Sequence, residues 1–136
     1  MGAKLDLESI QCINIFSKVT GVRTKDCFIY NNTRVFVVMP PLLPRALGEK
    51  GANIKQLSYL LRGRVRILPE SNIENFVRML VMPVKFKKLI VEEDGTVTII
   101  AGQQAKASLI GRDKVRLGEL NDILKQYYNI KSLKIV

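Results

Sequence analysis

Histidine is absent from this 136-residue chain. That removes the commonest general base, the usual serine and cysteine triads, and most zinc sites together. Cysteine is scarce: Cys12 and Cys27 stand alone and make neither a CxxC pair nor a disulfide framework. They read as small buried apolar residues. No apolar run approaches the ~20 residues of a membrane span. The opening MGAKLDLESIQ is polar, with no apolar run of signal length. Gly2 is not followed by the serine or threonine of a myristoylation signal. The acidic residues fall at predicted helix starts and turns, where capping or a solvated face accounts for them. The expectation is a soluble, cytoplasmic protein without membrane partner, metal or cofactor. It works by binding, with no catalytic residues.

Positive charge is what the chain has in excess. Lysine and arginine number 22 against 12 aspartate and glutamate, a formal charge of +10. Such a balance points to a polyanionic partner, most commonly nucleic acid. With 47% hydrophobic residues the chain can also bury a core.

Apolar spacing predicts a repeated order of elements. Residues 5–20 read as an amphipathic helix ended by Gly21. Cys27–Tyr30 and Arg34–Met39 read as strands about an Asn31-Asn32 turn. The proline-rich PPLLPRALG allows one short helix, Ile54, Leu57, Leu60 and Leu61 mark another, and Arg64–Leu68 alternates as a strand. The order then returns. A helix spans Asn72–Leu80, a hairpin Lys87–Gly102 turns at Asp94-Gly95, helices cover Gln103–Gly111 and Lys114–Tyr128, and a strand closes at Ser132–Val136. A shift of 63 residues lays Leu47-Gly48 on Ile110-Gly111, and Ile54, Leu57, Leu60 and Leu61 on Leu117, Leu120, Ile123 and Leu124. Spacing and residue type agree together, so the chain reads as two similar α+β units, residues 1–70 and 71–136. Each runs helix-strand-strand-helix-helix-strand, with helices packed on one face of a three-stranded sheet. Their charges are +6 (11 basic, 5 acidic) and +4 (11 basic, 7 acidic).

One short loop joins two helices in each unit. It is Gly48-Glu49-Lys50-Gly51 in the first and Gly111-Arg112-Asp113-Lys114 in the second. A loop edged by glycine lets main chain approach a phosphate backbone closely. The helix that follows offers unpaired N–H groups and the positive end of its dipole. Lys50, Arg112 and Lys114 add charge. Arg45, Lys55, Arg62, Arg64 and Arg66 cluster within a span of about twenty residues around the first loop, a pattern of nucleic-acid paths. The pair Tyr127-Tyr128 is expected to pack a helix end on its own sheet. Arg23 and Thr24 are expected to join helix to strand.

This arrangement resembles the KH domain, whose GxxG loop clamps the backbone of single-stranded nucleic acid. The helix-first order is similar to the type II variety. Thr20–Ile29, TGVRTKDCFI, resembles the first KH domain of NusA-type transcription factors, and Leu109–Leu117, LIGRDKVRL, resembles a shortened form of their second loop. The resemblance implies tandem type II KH domains binding single-stranded RNA, in a monomer that acts in transcription elongation, termination or antitermination. It admits RNA polymerase as a further partner. The site residues it implies are Gly48, Glu49, Lys50 and Gly51 with Arg45 and Lys55, and then Gly111, Arg112 and Lys114. Two other readings stand beside it. One is a KH module serving ribosomal RNA or RNA processing. The other is a protein–protein adaptor with vestigial RNA grooves. The second loop departs from the pattern, because Lys114 replaces the closing glycine. Its Cβ is expected to limit backbone approach, and Asp113 to repel phosphate unless it caps the next helix.

Overall fold

The computed structural model describes residues 7–136. The chain divides into two compact units, one ending at Asn72 and the next beginning at Ile73. Both have the element order predicted from the sequence.

In the first unit α1 (Leu7–Thr20) leads to the hairpin β1 (Asp26–Tyr30) and β2 (Thr33–Val38). The predicted start of α1 at residue 5 lies outside the described residues. Asn31 and Asn32 both take positive φ, 51° and 57°, as a tight hairpin requires. A 3-10 turn at Pro40–Leu42 precedes α2 (Leu43–Leu47), which carries Pro44 in its first turn, where no amide donor is needed, and stops after one turn at Gly48 with its φ of 78°. Next come α3 (Ala52–Leu61) and β3 (Arg64–Pro69). β1 pairs antiparallel with β2, and β2 pairs parallel with β3. A parallel pair needs a long crossover, and the two helices supply it. On β2 the alternate residues Phe36 and Val38 are fully buried. They share a core with Cys12 and Phe16 of α1, Ala46 of α2, Leu57 of α3, and Val65 and Ile67 of β3. Phe16 and Phe36 stack with ring centroids 4.4 Å apart. Cys12 and Cys27 are both buried in this core, as expected.

The joint between α1 and β1 is built from hydroxyls. Thr20 Oγ1 donates to the Phe16 carbonyl at 2.8 Å and accepts from the Val22 amide at 3.0 Å. Thr24 Oγ1 lies within hydrogen-bond distance of the Asp26 and Val37 carbonyls. Thr24 lies in the segment that joins α1 to β1, as predicted, and fastens that segment to both strands of the hairpin.

The second unit repeats the plan with α4 (Ile73–Leu80), β4 (Lys88–Val91), β5 (Thr96–Ile100), α5 (Gln103–Ile110), α6 (Val115–Tyr128) and β6 (Ser132–Ile135). Sheet order is β4-β5-β6, again one antiparallel and one parallel pair. Buried residues come from every layer: Phe76, Val77 and Leu80 of α4, Leu89, Val97 and Ile99 of the sheet, Leu109 of α5, and Leu120 and Leu124 of α6. Arg78 ties α4 to the residues before β4. Its guanidinium pairs with Glu74 at 2.9 Å, donates to the Phe86 carbonyl at 3.0 Å, and lies 4.2 Å from the Phe86 ring centroid. Tyr127 and Tyr128 pack, but against Phe76 of α4, with centroids 5.5 and 5.6 Å away. The helix end therefore meets another helix in place of the expected sheet.

Candidate nucleic-acid interface

The first loop is a sequence of left-handed backbone steps. Gly48 has φ 78° and ψ 166°, Lys50 φ 55° and ψ 31°, and Gly51 φ 72° and ψ 22°. The Gly48 conformation belongs to a region that only glycine enters readily. Space demands glycine there too, since an added Cβ would lie 3.0 Å from the Asn53 backbone nitrogen and 2.9 Å from its side chain. Gly51 is different: a Cβ there would meet nothing within 4 Å. Gly48 is thus a packing glycine, and Gly51 leaves the outer side of the loop open.

The loop is pinned from inside. The Gly48 amide donates to the Pro44 carbonyl at 3.1 Å, and the Gly51 amide to the Gly48 carbonyl at 3.2 Å. The Asn53 side-chain amide donates to the carbonyls of Arg45 and Ala46 at 3.2 and 3.1 Å. The amides of Glu49 and Lys50 have no partner among the described residues. They stand at the mouth of α3, where the helix dipole favours an anion.

The second loop has the same backbone. Gly111 has φ 75° and ψ 174°, Asp113 φ 55° and ψ 27°, and Lys114 φ 61° and ψ 22°. An added Cβ at Gly111 would lie 3.0 Å from the Arg116 nitrogen, the counterpart of Asn53. The hydrogen bonds repeat as well: Gly111 amide to Ala107 carbonyl at 2.9 Å, and Lys114 amide to Gly111 carbonyl at 3.2 Å. Loss of the closing glycine therefore leaves the loop's conformation unchanged. Charge does change. Where the first loop carries Glu49 then Lys50, the second carries Arg112 then Asp113, followed by Lys114. Asp113 does not cap α6, because Lys114 holds the cap position and no side chain bonds there.

The predicted site residues fall into two groups. Glu49, Lys50 and Lys55 are exposed on the loop and the start of α3, and Arg112 and Lys114 are exposed on the second loop. Arg45 is exposed in α2, but its guanidinium lies over Gly21 at the end of α1, where an added Cβ would come within 3.3 Å of Nη2. A cation at a helix C-terminus is favourable. Among the apolar residues of α3, Leu57 is fully buried, whereas Leu60 is 45% exposed. Burial of the Arg66 side chain lowers its guanidinium pKa.

Two residues escaped the sequence reading. Asn53 holds the loop to α2, and its signal was a polar amide in the first turn after the second glycine. Tyr59 is 83% exposed on α3. It follows Lys55 by four residues, the spacing of one helix face. That exposed face was readable as the complement of the Ile54, Leu57 and Leu61 stripe.

No family model matches the chain. Full-length similarity to curated proteins is found nonetheless. The chain is 23% identical over 140 residues to the probable transcription termination protein NusA of Methanococcus vannielii, covering 100% of this chain and 81% of the relative. It is 24% identical over 139 residues to the protein of the same name from Halobacterium salinarum, covering 99% of both. The crystal structure of APE1850 superposes with a TM-score of 0.68 at 25% identity, covering 97% of this chain and all of that one. The chain is NusA-like along its whole length. The tandem KH-like architecture is the one expected from the NusA-type segments of the sequence. Among the described residues no helix is long and apolar enough to cross a membrane.

Proposed function

We propose that this protein binds single-stranded RNA as a transcription factor of the NusA type, acting in elongation, termination or antitermination. Residues 1–70 and 71–136 are its two KH domains. The observation that carries the reading is the pair of loops with one backbone. Each places exposed cations before a helix, and the first leaves two main-chain amides without a partner among the described residues, in a chain of charge +10. Proteins similar over the full length are named as transcription termination proteins.

In this reading the amides of Glu49 and Lys50 and the ammonium of Lys50 hold phosphate oxygens. The open side of Gly51 admits the backbone, and Lys55 extends the cationic path along α3. Arg45 borders the loop and serves mainly to close α1. In the second loop Gly111 sets the turn, while Arg112 and Lys114 supply the charge. The chemistry is binding without bond making, by a cytoplasmic monomer, with RNA polymerase as the further partner.

The test compares short single-stranded RNAs with matched duplexes by fluorescence anisotropy at two salt concentrations. A Glu49→Asp, Lys50→Asp double variant, checked for fold by circular dichroism, runs beside the wild type. The expected result is single-strand binding that falls with salt at a log–log slope of roughly −0.7 per contacted phosphate, and that the variant loses. Duplex should compete poorly, since its bases are stacked away. Binding unchanged in the variant would move the site elsewhere on the basic surface.

A further inference from the structure

A cavity of about 280 Å³ opens in the first unit at the end of α3 opposite the loop. α3 has ten residues, so the helix separates the two by about 15 Å. Cys12, Ile29 and Leu61 form apolar walls. Asn32, Arg34 and Arg64 bring polar groups. Arg34 stands in the helix-facing row of β2 with Phe36 and Val38, where a cation is out of place. Its side chain is only 13% exposed.

A guanidinium has five N–H donors. Only one of Arg34's meets an oxygen among the described residues: Nη2 donates to Glu8 Oε1 at 2.9 Å. Nη1 lies 3.8 Å from Cys27 Sγ, a weak acceptor. Glu8 itself is 72% exposed, on the first turn of α1. The arginine is largely buried, whereas its carboxylate partner is exposed and can exchange with solvent or a competing anion.

We infer that this cavity is a docking site for an acidic–aliphatic peptide segment of a protein partner, in which a carboxylate takes the place of Glu8 on Arg34 and an aliphatic side chain fills the wall of Ile29 and Leu61. The fork of a guanidinium matches a carboxylate in two parallel hydrogen bonds. Glu8 already shows that a carboxylate is accepted there. The volume lies just below the ~300–1,000 Å³ of sites for whole small molecules. It suits one or two anchoring side chains. The lining has no aromatic ring on which a nucleobase could stack. The site does not depend on RNA binding by the loop.

The test is a titration of the ¹⁵N-labelled full chain with the capped tripeptide Leu-Glu-Leu, its Leu-Gln-Leu counterpart, and a short single-stranded RNA. Wild type, Glu8→Ala, Arg34→Gln and the Glu49→Asp, Lys50→Asp variant are compared, each checked by circular dichroism. Leu-Glu-Leu should move the amides of Asn32, Leu61, Gly63 and Arg64. Leu-Gln-Leu should bind at least about tenfold more weakly, having no charge to pair. Glu8→Ala should bind the acidic peptide between about twofold and fivefold more tightly, the range of an exposed ion pair removed as competitor. Arg34→Gln should lose it, and the loop variant should keep it. Glu8 is exposed, so its variant keeps the test decisive even if Arg34→Gln fails to fold. Unchanged or weaker binding by Glu8→Ala overturns the inference. So do equal binding of both peptides, no shift at the cavity, or cavity shifts produced by RNA alone.

Discussion

Asn53 donates from its side-chain amide to the carbonyl of Ala46, 3.1 Å away across the loop. α2 has five residues, too few for its last carbonyls to find helical donors. Asn53 supplies the missing donor for Ala46 and Arg45 together. Asn53→Ala should therefore lower stability by about 1 kcal/mol. Asn53→Asp, which keeps the shape and cannot donate, should do at least as much. Urea unfolding with unchanged m-value checks both. A midpoint equal to wild type would mean that water serves these carbonyls equally well.

The two glycines of the first loop should respond unequally to alanine. At Gly48 an added methyl meets the Asn53 backbone in a glycine-only conformation. Gly48→Ala should cost about 2–4 kcal/mol. At Gly51 the methyl enters open space and only the left-handed backbone is strained, a cost of about 1–2 kcal/mol. Thermal melts of the two variants side by side decide it. Equal losses would contradict the assignment of Gly48 to packing and Gly51 to access.

The second loop should gain from charge reversal. Asp113 occupies the backbone position of Lys50, with torsions within a few degrees. On the RNA-binding reading, Asp113→Lys adds a phosphate contact and steepens the salt slope by about 0.7. Lys114→Gly should relieve a left-handed lysine and raise stability by up to about 1 kcal/mol, less the entropy glycine adds to the unfolded chain. Anisotropy titrations at several salt concentrations test the first, and urea midpoints the second.

Cys27 should make stability fall at alkaline pH. Burial pushes its thiol up from 9.0 to about 11, although the Arg34 guanidinium opposes the shift. The folded state therefore holds the proton more tightly than the unfolded state. Below about pH 9 both states are protonated and the advantage is intact. Between 9 and 11 the unfolded state ionises first, and up to about 2–3 kcal/mol is lost. Cys27→Ala should flatten this part of the stability–pH curve, measured by urea unfolding from pH 8 upward. A variant that keeps the same slope would place the alkaline loss on other groups.

Much of this was legible in the chain because it depends on near neighbours. The 63-residue repeat aligned Gly48 with Gly111 and Leu57 with Leu120. In the structure the glycines share torsions and both leucines are fully buried. Asn31 and Asn32 turned the hairpin where expected. Lys114 takes the left-handed step that Gly51 takes in the first loop, and lysine tolerates it at a small cost.

Other features could not be read, because each side chain meets something distant in sequence. Arg45 lies over Gly21, Tyr127 and Tyr128 meet Phe76, and Arg34 joins Glu8 across 26 residues. By itself the sequence determined the order of elements, the two units, the glycine turns and the excess of positive charge. Those follow from local periodicity and backbone sterics, which act within a few residues. Only the tertiary structure decided which glycine packs and which stays open. It also decided that Asn53 braces the loop, and that an arginine of the core-facing row meets a single oxygen among the described residues. Those are matters of which surfaces the packed helices bring together.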